Sequence, residues 1–193
     1  MLNSSKSRYV DGLWIGAFED KKTAQQILTR LEAALALIKH YDRFRYDRIV
    51  RDFRRIWVTL LPTNIAIFAY QIEACQIDSR YFLADTTTLE MIASTIVHEA
   101  THARLWRFGY DEALRSRIEA ICIRREIAFV AKLPNSEQIR DGAEQRLTLC
   151  ASQDVWTNTA FRDRHNEGSI ETLRYLGVPE WLVHFVARDT LPS

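Results

Sequence analysis

The sequence is poor in the features that would assign it at a glance. Six glycines and four prolines are spread over 193 residues, with no linker, internal repeat or low-complexity tract. Three cysteines (Cys75, Cys122 and Cys150) are an odd number without close spacing, which argues against a disulfide framework and for a reducing compartment. Charge of one sign is scarce as well. Lys and Arg total 26 against 25 Asp and Glu, a formal net charge of +1, so no dominant pull toward nucleic acid or membrane is expected. No apolar run approaches the length of a membrane span, and residues 1–8 are polar, with no apolar signal core. A cytoplasmic protein without a membrane partner is expected. What is present is 47% hydrophobic and 26% charged residues, the content of a soluble globular chain with a real core. The length suits one domain over 1–193.

Taken in order, residues 1–8 are expected to fray, and 9–18 read as a short strand or a packed loop. From Asp20 an amphipathic helix begins, with Ala24, Ile27, Leu28, Leu31, Leu35 and Ile38 at helical spacing. Residues 42–55 carry six arginines against three aspartates, interleaved with Phe44, Ile49 and Phe53. Arginines among aromatics suit nucleic acid or an acidic substrate, but alternating signs favour a solvated, salt-bridged face. Residues 56–61 predict a strand, stopped by a turn at 62–64. Residues 65–70 predict a second strand, with helix an alternative over 65–75, and 77–84 a third.

Thr87 as N-cap and Glu90 at N3 have capping-box spacing, and the helix they open runs without Pro or Gly to Phe108, where Gly109 follows as a C-cap. A second helix is expected from 111 or 112 to 133, and a third from about 137 to 150. A break is expected at 166–168, then a short helix over 170–176 and a last helix opened by Pro179.

The stretch His98-Glu99-Ala100-Thr101-His102 lies within the first of these helices. Four residues advance about 400° and rise about 6 Å, so His98 and His102 share a face and can reach one zinc ion. Glu99 then stands beside a metal-bound water as general base. A catalytic zinc commonly takes a third protein ligand. If the two helices turn back tightly near Gly109, His102 lies about 11 Å and His98 about 17 Å from the turn, and Glu119 returns to about 14 Å. Glu112, at about 4 Å, is too close to the turn; Glu126, at about 25 Å, overshoots and is held in reserve; Cys122, at about 19 Å, is less well placed.

His-Glu-x-x-His followed by a glutamate on a second helix resembles the gluzincin group of zinc metallopeptidases, and Arg117-Ile118-Glu119-Ala120-Ile121 is similar to that group's glutamate-bearing helix. The resemblance covers about residues 77–133. It implies His98, His102 and Glu119 as zinc ligands, Glu99 as catalytic base and a short sheet beside the motif helix. Many gluzincins carry an aspartate four residues after the ligand glutamate. Here Ile123 stands there, so a histidine-orienting partner must come from elsewhere.

The expected function is therefore a zinc-dependent hydrolase of peptide or protein substrates, with a non-catalytic zincin-like binding protein as the alternative. An oxyanion donor is also required. Tyr110, His165, Tyr175, His184 or an arginine are the candidates, with His165 preferred for its polar surroundings, while Cys75 and Cys150 read as ordinary buried residues. The expected fold is a mostly helical α+β domain of zincin type, with a small sheet beside the motif helix.

Overall fold

The chain opens with a β-hairpin. Strand β1 (Ser4–Val10) pairs antiparallel with β2 (Leu13–Glu19), from Ser4 opposite Glu19 to Val10 opposite Leu13. Asp11 and Gly12 turn the chain with φ of 49° and 89°. Two consecutive positive φ values match the right-handed twist of the flanking strands, a conformation that favours glycine. The computed structural model describes residues 4–62 and 65–190. Residues 4–8, expected to fray, are thus strand. A polar sequence suits an edge strand, and Arg8 is tied to Glu32 at 2.7 Å.

Helix α1 (Lys21–Tyr41) starts where Asp20 accepts the Lys22 and Thr23 backbone N–H groups at 2.9 and 3.3 Å. Its apolar stripe, Ala24 through Ile38, is fully buried. The arginine-rich stretch forms α2 (Arg43–Asp52). Three short strands follow: β3 (Arg55–Thr59), β4 (Ala66–Ala69) and β5 (Ala74–Asp78). The sheet order is β1-β2-β3-β5-β4, with β2, β3 and β5 parallel and both edge strands antiparallel to their neighbours. Over 65–75, where helix was the alternative, strand β4 leads into one 3₁₀ turn at Tyr70–Ile72. The turn expected at 62–64 falls partly outside the described residues.

The third expected strand differs. Only its start is strand, and Tyr81, Phe82 and Leu83 belong to a short helix, α3 (Ser79–Leu83). A short apolar run cannot be told from buried helix by periodicity, and Asp78 decides it. Its Oδ1 accepts the Arg80 N–H at 2.8 Å and its Oδ2 the Leu61 N–H at 2.9 Å, with the Arg80 guanidinium alongside at 2.9 Å. Asp78 is buried, so Asp78→Ala strands these donors. Urea unfolding of that variant is expected to show a loss of about 3 kcal/mol.

The remaining helices are α4 (Leu89–Leu105), α5 (Glu112–Val130), α6 (Glu137–Leu149), α7 (Asn158–Tyr175) and α8 (Glu180–Thr190). The cap of α4 sits one residue later than the capping box implied. Thr88 accepts the Met91 N–H at 3.3 Å, and Thr87 is buried beside it. Beyond α4, one 3₁₀ turn ends at Gly109, whose φ of 82° releases the chain toward α5, capped by Asp111. The break expected at 166–168 does not occur. Asn166 is buried and Gly168 lies inside α7, since a single helical glycine costs only about 1 kcal/mol.

One large apolar core joins α1, the sheet and α4 through Ile15, Leu31, Ile56, Ile77, Ile96 and Val97, extending to Phe129 and Val130 of α5. A smaller cluster of Ile123, Ala143 and Cys150 holds α6 on α5. The fold is α+β, mostly helical with a small mixed sheet. Helix α4 occupies its middle, packed on α1, α2, α5 and β4. Among the described residues no helix is long and apolar enough to cross a membrane.

Candidate metal centre

Helices α4 and α5 form the pair that carries the candidate site. On α4, His98 and His102 stand one turn apart, their rings tilted 52° with centroids 5.0 Å apart. On α5, Glu119, Cys122 and Glu126 recur at i, i+3 and i+7, so all three face α4. His98 Nε2 lies 3.2 Å from His102 Nε2. The Glu119 carboxylate closes the triangle, with Oε2 3.4 Å from His98 Nε2 and Oε1 3.2 Å from His102 Nε2. Two imidazole nitrogens and a carboxylate on one tetrahedral ion, at metal–ligand bonds of about 2.0–2.1 Å, stand about 3.4 Å from one another. The 3.2 Å nitrogen–nitrogen edge has that length, while Glu119 reaches the two nitrogens with different oxygens, one to each ring. Cys122, fully buried, also comes within range: its sulfur and the ring nitrogens of His98 and His102 lie within 4.8 Å of one another. The His-His-Cys group could hold a metal ion, and the Glu119 carboxylate faces the same two nitrogens.

A second layer fixes these donors. His98 Nδ1 is 3.2 Å from Glu126 Oε2, which leaves Nε2 to face the centre. Glu126 Oε1 in turn accepts from Ser94 Oγ at 2.8 Å and from the Arg146 guanidinium of α6 at 2.5 Å. The Tyr110 hydroxyl donates to Glu119 Oε1, and its ring stands edge-on to His102 at 5.7 Å.

Burial works against charge throughout the cluster, and the partners outweigh it where they touch. For His98, burial disfavours the imidazolium, but Glu119 and Glu126 on its two nitrogens raise its pKa to about 10. Glu119 and Glu126 are pushed up by burial, yet His102 and His98 bring Glu119, and His98 with Arg146 brings Glu126, below the ordinary carboxylate range. Burial raises the Glu99 pKa, opposed by His102 and His98, with Glu119 adding to the rise and a hydrogen bond from the Phe68 backbone N–H of β4 opposing it. Burial and Glu119 likewise keep the Tyr110 phenol protonated, a donor throughout the neutral range.

Of the residues singled out in the sequence, His98, His102 and Glu119 converge, and Glu99 lies on the same helix, buried next to the pair. Glu126, the reserve ligand, stands behind His98 instead of beside it, because α5 returns at the height that brings Glu119 to the ring nitrogens. His165 is exposed on α7 and, among the described residues, has no hydrogen bond or ion pair. Of the four residues named as oxyanion donors, Tyr110 is the one bonded to the cluster. Tyr175 lies under Arg80, and His184 is near Glu180 at 3.6 Å. Ser94 and Arg146 escape sequence reasoning. The i, i+3, i+7 spacing on α5 is the signal that could have found Glu126 as a positioning residue, but Arg146 depends on how α6 docks. The side chains of His98, His102 and Glu119 are 17, 16 and 13% exposed.

No protein-family profile, curated protein or solved structure matches this chain.

Proposed function

We propose that His98, His102 and Glu119 bind zinc and that the protein is a zinc-dependent hydrolase, a small relative of the gluzincin metallopeptidases acting on peptide bonds. The observation that carries this reading is the pair of ring nitrogens 3.2 Å apart, each met by one Glu119 oxygen at 3.2–3.4 Å, with Glu99 one residue along the same helix. Two imidazoles, a carboxylate and a nearby thiol suit zinc better than the oxygen-preferring cations. The mixed sheet beside α4 accords with the zincin type that the motif suggests.

When bound, zinc would supply Lewis acidity and a water ionisable near neutral pH. The residues do the rest. Glu99, its pKa raised by burial, accepts the proton of the attacking water and passes it to the leaving amine. Glu126 holds His98 by Nδ1, and the Tyr110 hydroxyl orients Glu119.

A second reading rests on Cys122. If its thiolate joins both histidines and Glu119, four protein donors close the site, the arrangement of structural rather than catalytic zinc. Two variants separate the readings. In the hydrolase, Glu99→Gln retains one zinc per chain and loses about 10²–10⁴-fold in peptide-cleavage rate, while Cys122→Ala keeps both metal and activity. In the closed site, Cys122→Ala releases the metal and Glu99→Gln changes nothing measurable. A Glu99→Gln protein as active as its parent sinks the mechanism.

A further inference from the structure

A groove lies on the side of α4 that carries Thr101 and Arg104, between α2 and α5, and none of the metal-site residues lines it. It has two connected lobes, of about 190 and 580 Å³, sharing Asp52, Thr101, Arg104 and Arg125. Six cationic side chains line it against two carboxylates, so it concentrates positive charge in a chain whose formal net charge is only +1.

The arginine-rich stretch was expected to be a solvated, salt-bridged face, and part of it is. Arg43 pairs with Asp47 at 2.8 Å on the outside of α2, both more than half exposed. The arginines that turn inward behave differently. Asp42 is already satisfied by Arg45 at 3.0 Å and Lys132 at 2.8 Å. Asp52 Oδ1 accepts from Arg51 at 2.9 Å. That leaves Arg48, Arg104 and Arg125 with little to neutralise them. Arg48 lies over the Phe44 ring at 3.9 Å, and among the described residues neither its guanidinium nor that of Arg125 has a carboxylate partner. Arg104 Nε is 3.8 Å from Asp52 Oδ2, too long for a hydrogen bond. Arg104 has its pKa lowered, first by burial and then by Arg48, with Asp52 opposing and Arg125 and Arg51 adding repulsion. Asp52 Oδ2 is itself buried and without a hydrogen bond. Three cations held together with an unused acceptor make a site that an anion bearing a hydroxyl group would complete.

We infer that this groove binds a phosphorylated, hydroxyl-bearing small molecule, its phosphoryl oxygens taken by Arg48, Arg104 and Arg125 and a hydroxyl by Asp52. Guanidinium forks match phosphoryl oxygens in pairs. The larger lobe, walled by Leu105, Trp106, Phe108 and Ile121, accommodates the body of the ligand. A nucleotide and a sugar phosphate share this chemistry.

The inference is independent of the metal centre and is tested on the full chain with and without zinc. Calorimetric titrations use ATP, fructose 1,6-bisphosphate, inorganic pyrophosphate and a 12-nucleotide single strand, at fixed salt. Saturable binding of ATP or the bisphosphate, one per chain, is expected, and the tighter of the two identifies the class. Arg48→Gln and Arg125→Gln remove no carboxylate ion pair, so the fold is retained, and each is expected to weaken binding about 10-fold. Asp52→Asn is expected to weaken the hydroxylated ligands but not pyrophosphate. Four outcomes overturn the inference: no binding of either ester at millimolar concentration; affinity unchanged in the arginine variants; pyrophosphate binding as tightly as both esters; or the oligonucleotide binding while ATP does not.

Discussion

Replacing Glu126 by alanine is expected to damage this protein more than removing any exposed charge, although Glu126 is not among the three proposed zinc ligands. The carboxylate is buried, 5% exposed, and accepts from Ser94, His98 and Arg146 at once. Arg146 is half exposed and rehydrates freely when its partner goes. Ser94 and His98 do not. Leaving a buried partner uncompensated typically costs about 3–5 kcal/mol, and with Arg146 discounted the lower end is expected in urea unfolding of the metal-free protein. Metal affinity should fall with it, by about 10–100-fold, because the His98 ring loses the contact that fixes its orientation. Glu126→Gln separates these effects, since the amide oxygen still accepts the His98 Nδ1–H while the negative charge is lost. It should recover most of the metal affinity and only part of the stability. Equal metal affinity in the Glu126→Ala protein and its parent, measured by chelator competition, would show that Glu126 does not orient His98.

Why Glu126 is hard to assign from sequence, and Glu119 easy, is a matter of what each depends on. The height of Glu119 follows from the helix rise and a tight turn at Gly109, both local, and these bring it within 3.4 Å of both imidazoles. Glu126 is one heptad further along the same face, level with Nδ1 of His98, so its role depends on ring rotamers and on the docking of Arg146 from α6. The same division runs through the fold. Helices α1, α5 and α6 carry their own apolar stripes or caps and are legible from spacing. Strand β1 is not, because an edge strand with polar residues looks like a loose terminus until its partner is known. Helix α3 is decided by one buried carboxylate, Asp78, whose partners lie 2 and 17 residues away. The groove arginines could be read as an external face because sequence shows their alternation with aspartates, not that α4 and α5 add Arg104 and Arg125 opposite them.

Zinc is expected to bind in competition with protons, and the consequences for stability have opposite signs in the metal-free and metal-loaded protein. Without metal, His98 is held charged between Glu119 and Glu126, its pKa raised from 6.5 to about 10. A raised pKa stabilises the fold fully below the unfolded value of 6.5, and the contribution is lost as pH rises toward 10. Glu119 and Glu126, with lowered pKa values, stabilise above their unfolded value of 4.5, and that contribution is lost as pH falls. The cluster therefore contributes most to the metal-free protein between about pH 4.5 and 6.5. Zinc requires a neutral imidazole, so its binding expels the His98 proton, and apparent affinity rises with pH up to about 10. The melting temperatures of the two forms should diverge on going from pH 6 to 9, the metal-free protein falling while the gain on adding zinc grows. At 100-fold excess over the dissociation constant the gain is about 2.7 kcal/mol. In His98→Ala and His102→Ala proteins bound zinc should fall to background, and the zinc-dependent gain in melting temperature should vanish. A pH-independent gain on adding zinc, or full zinc occupancy in His98→Ala, would place the metal elsewhere.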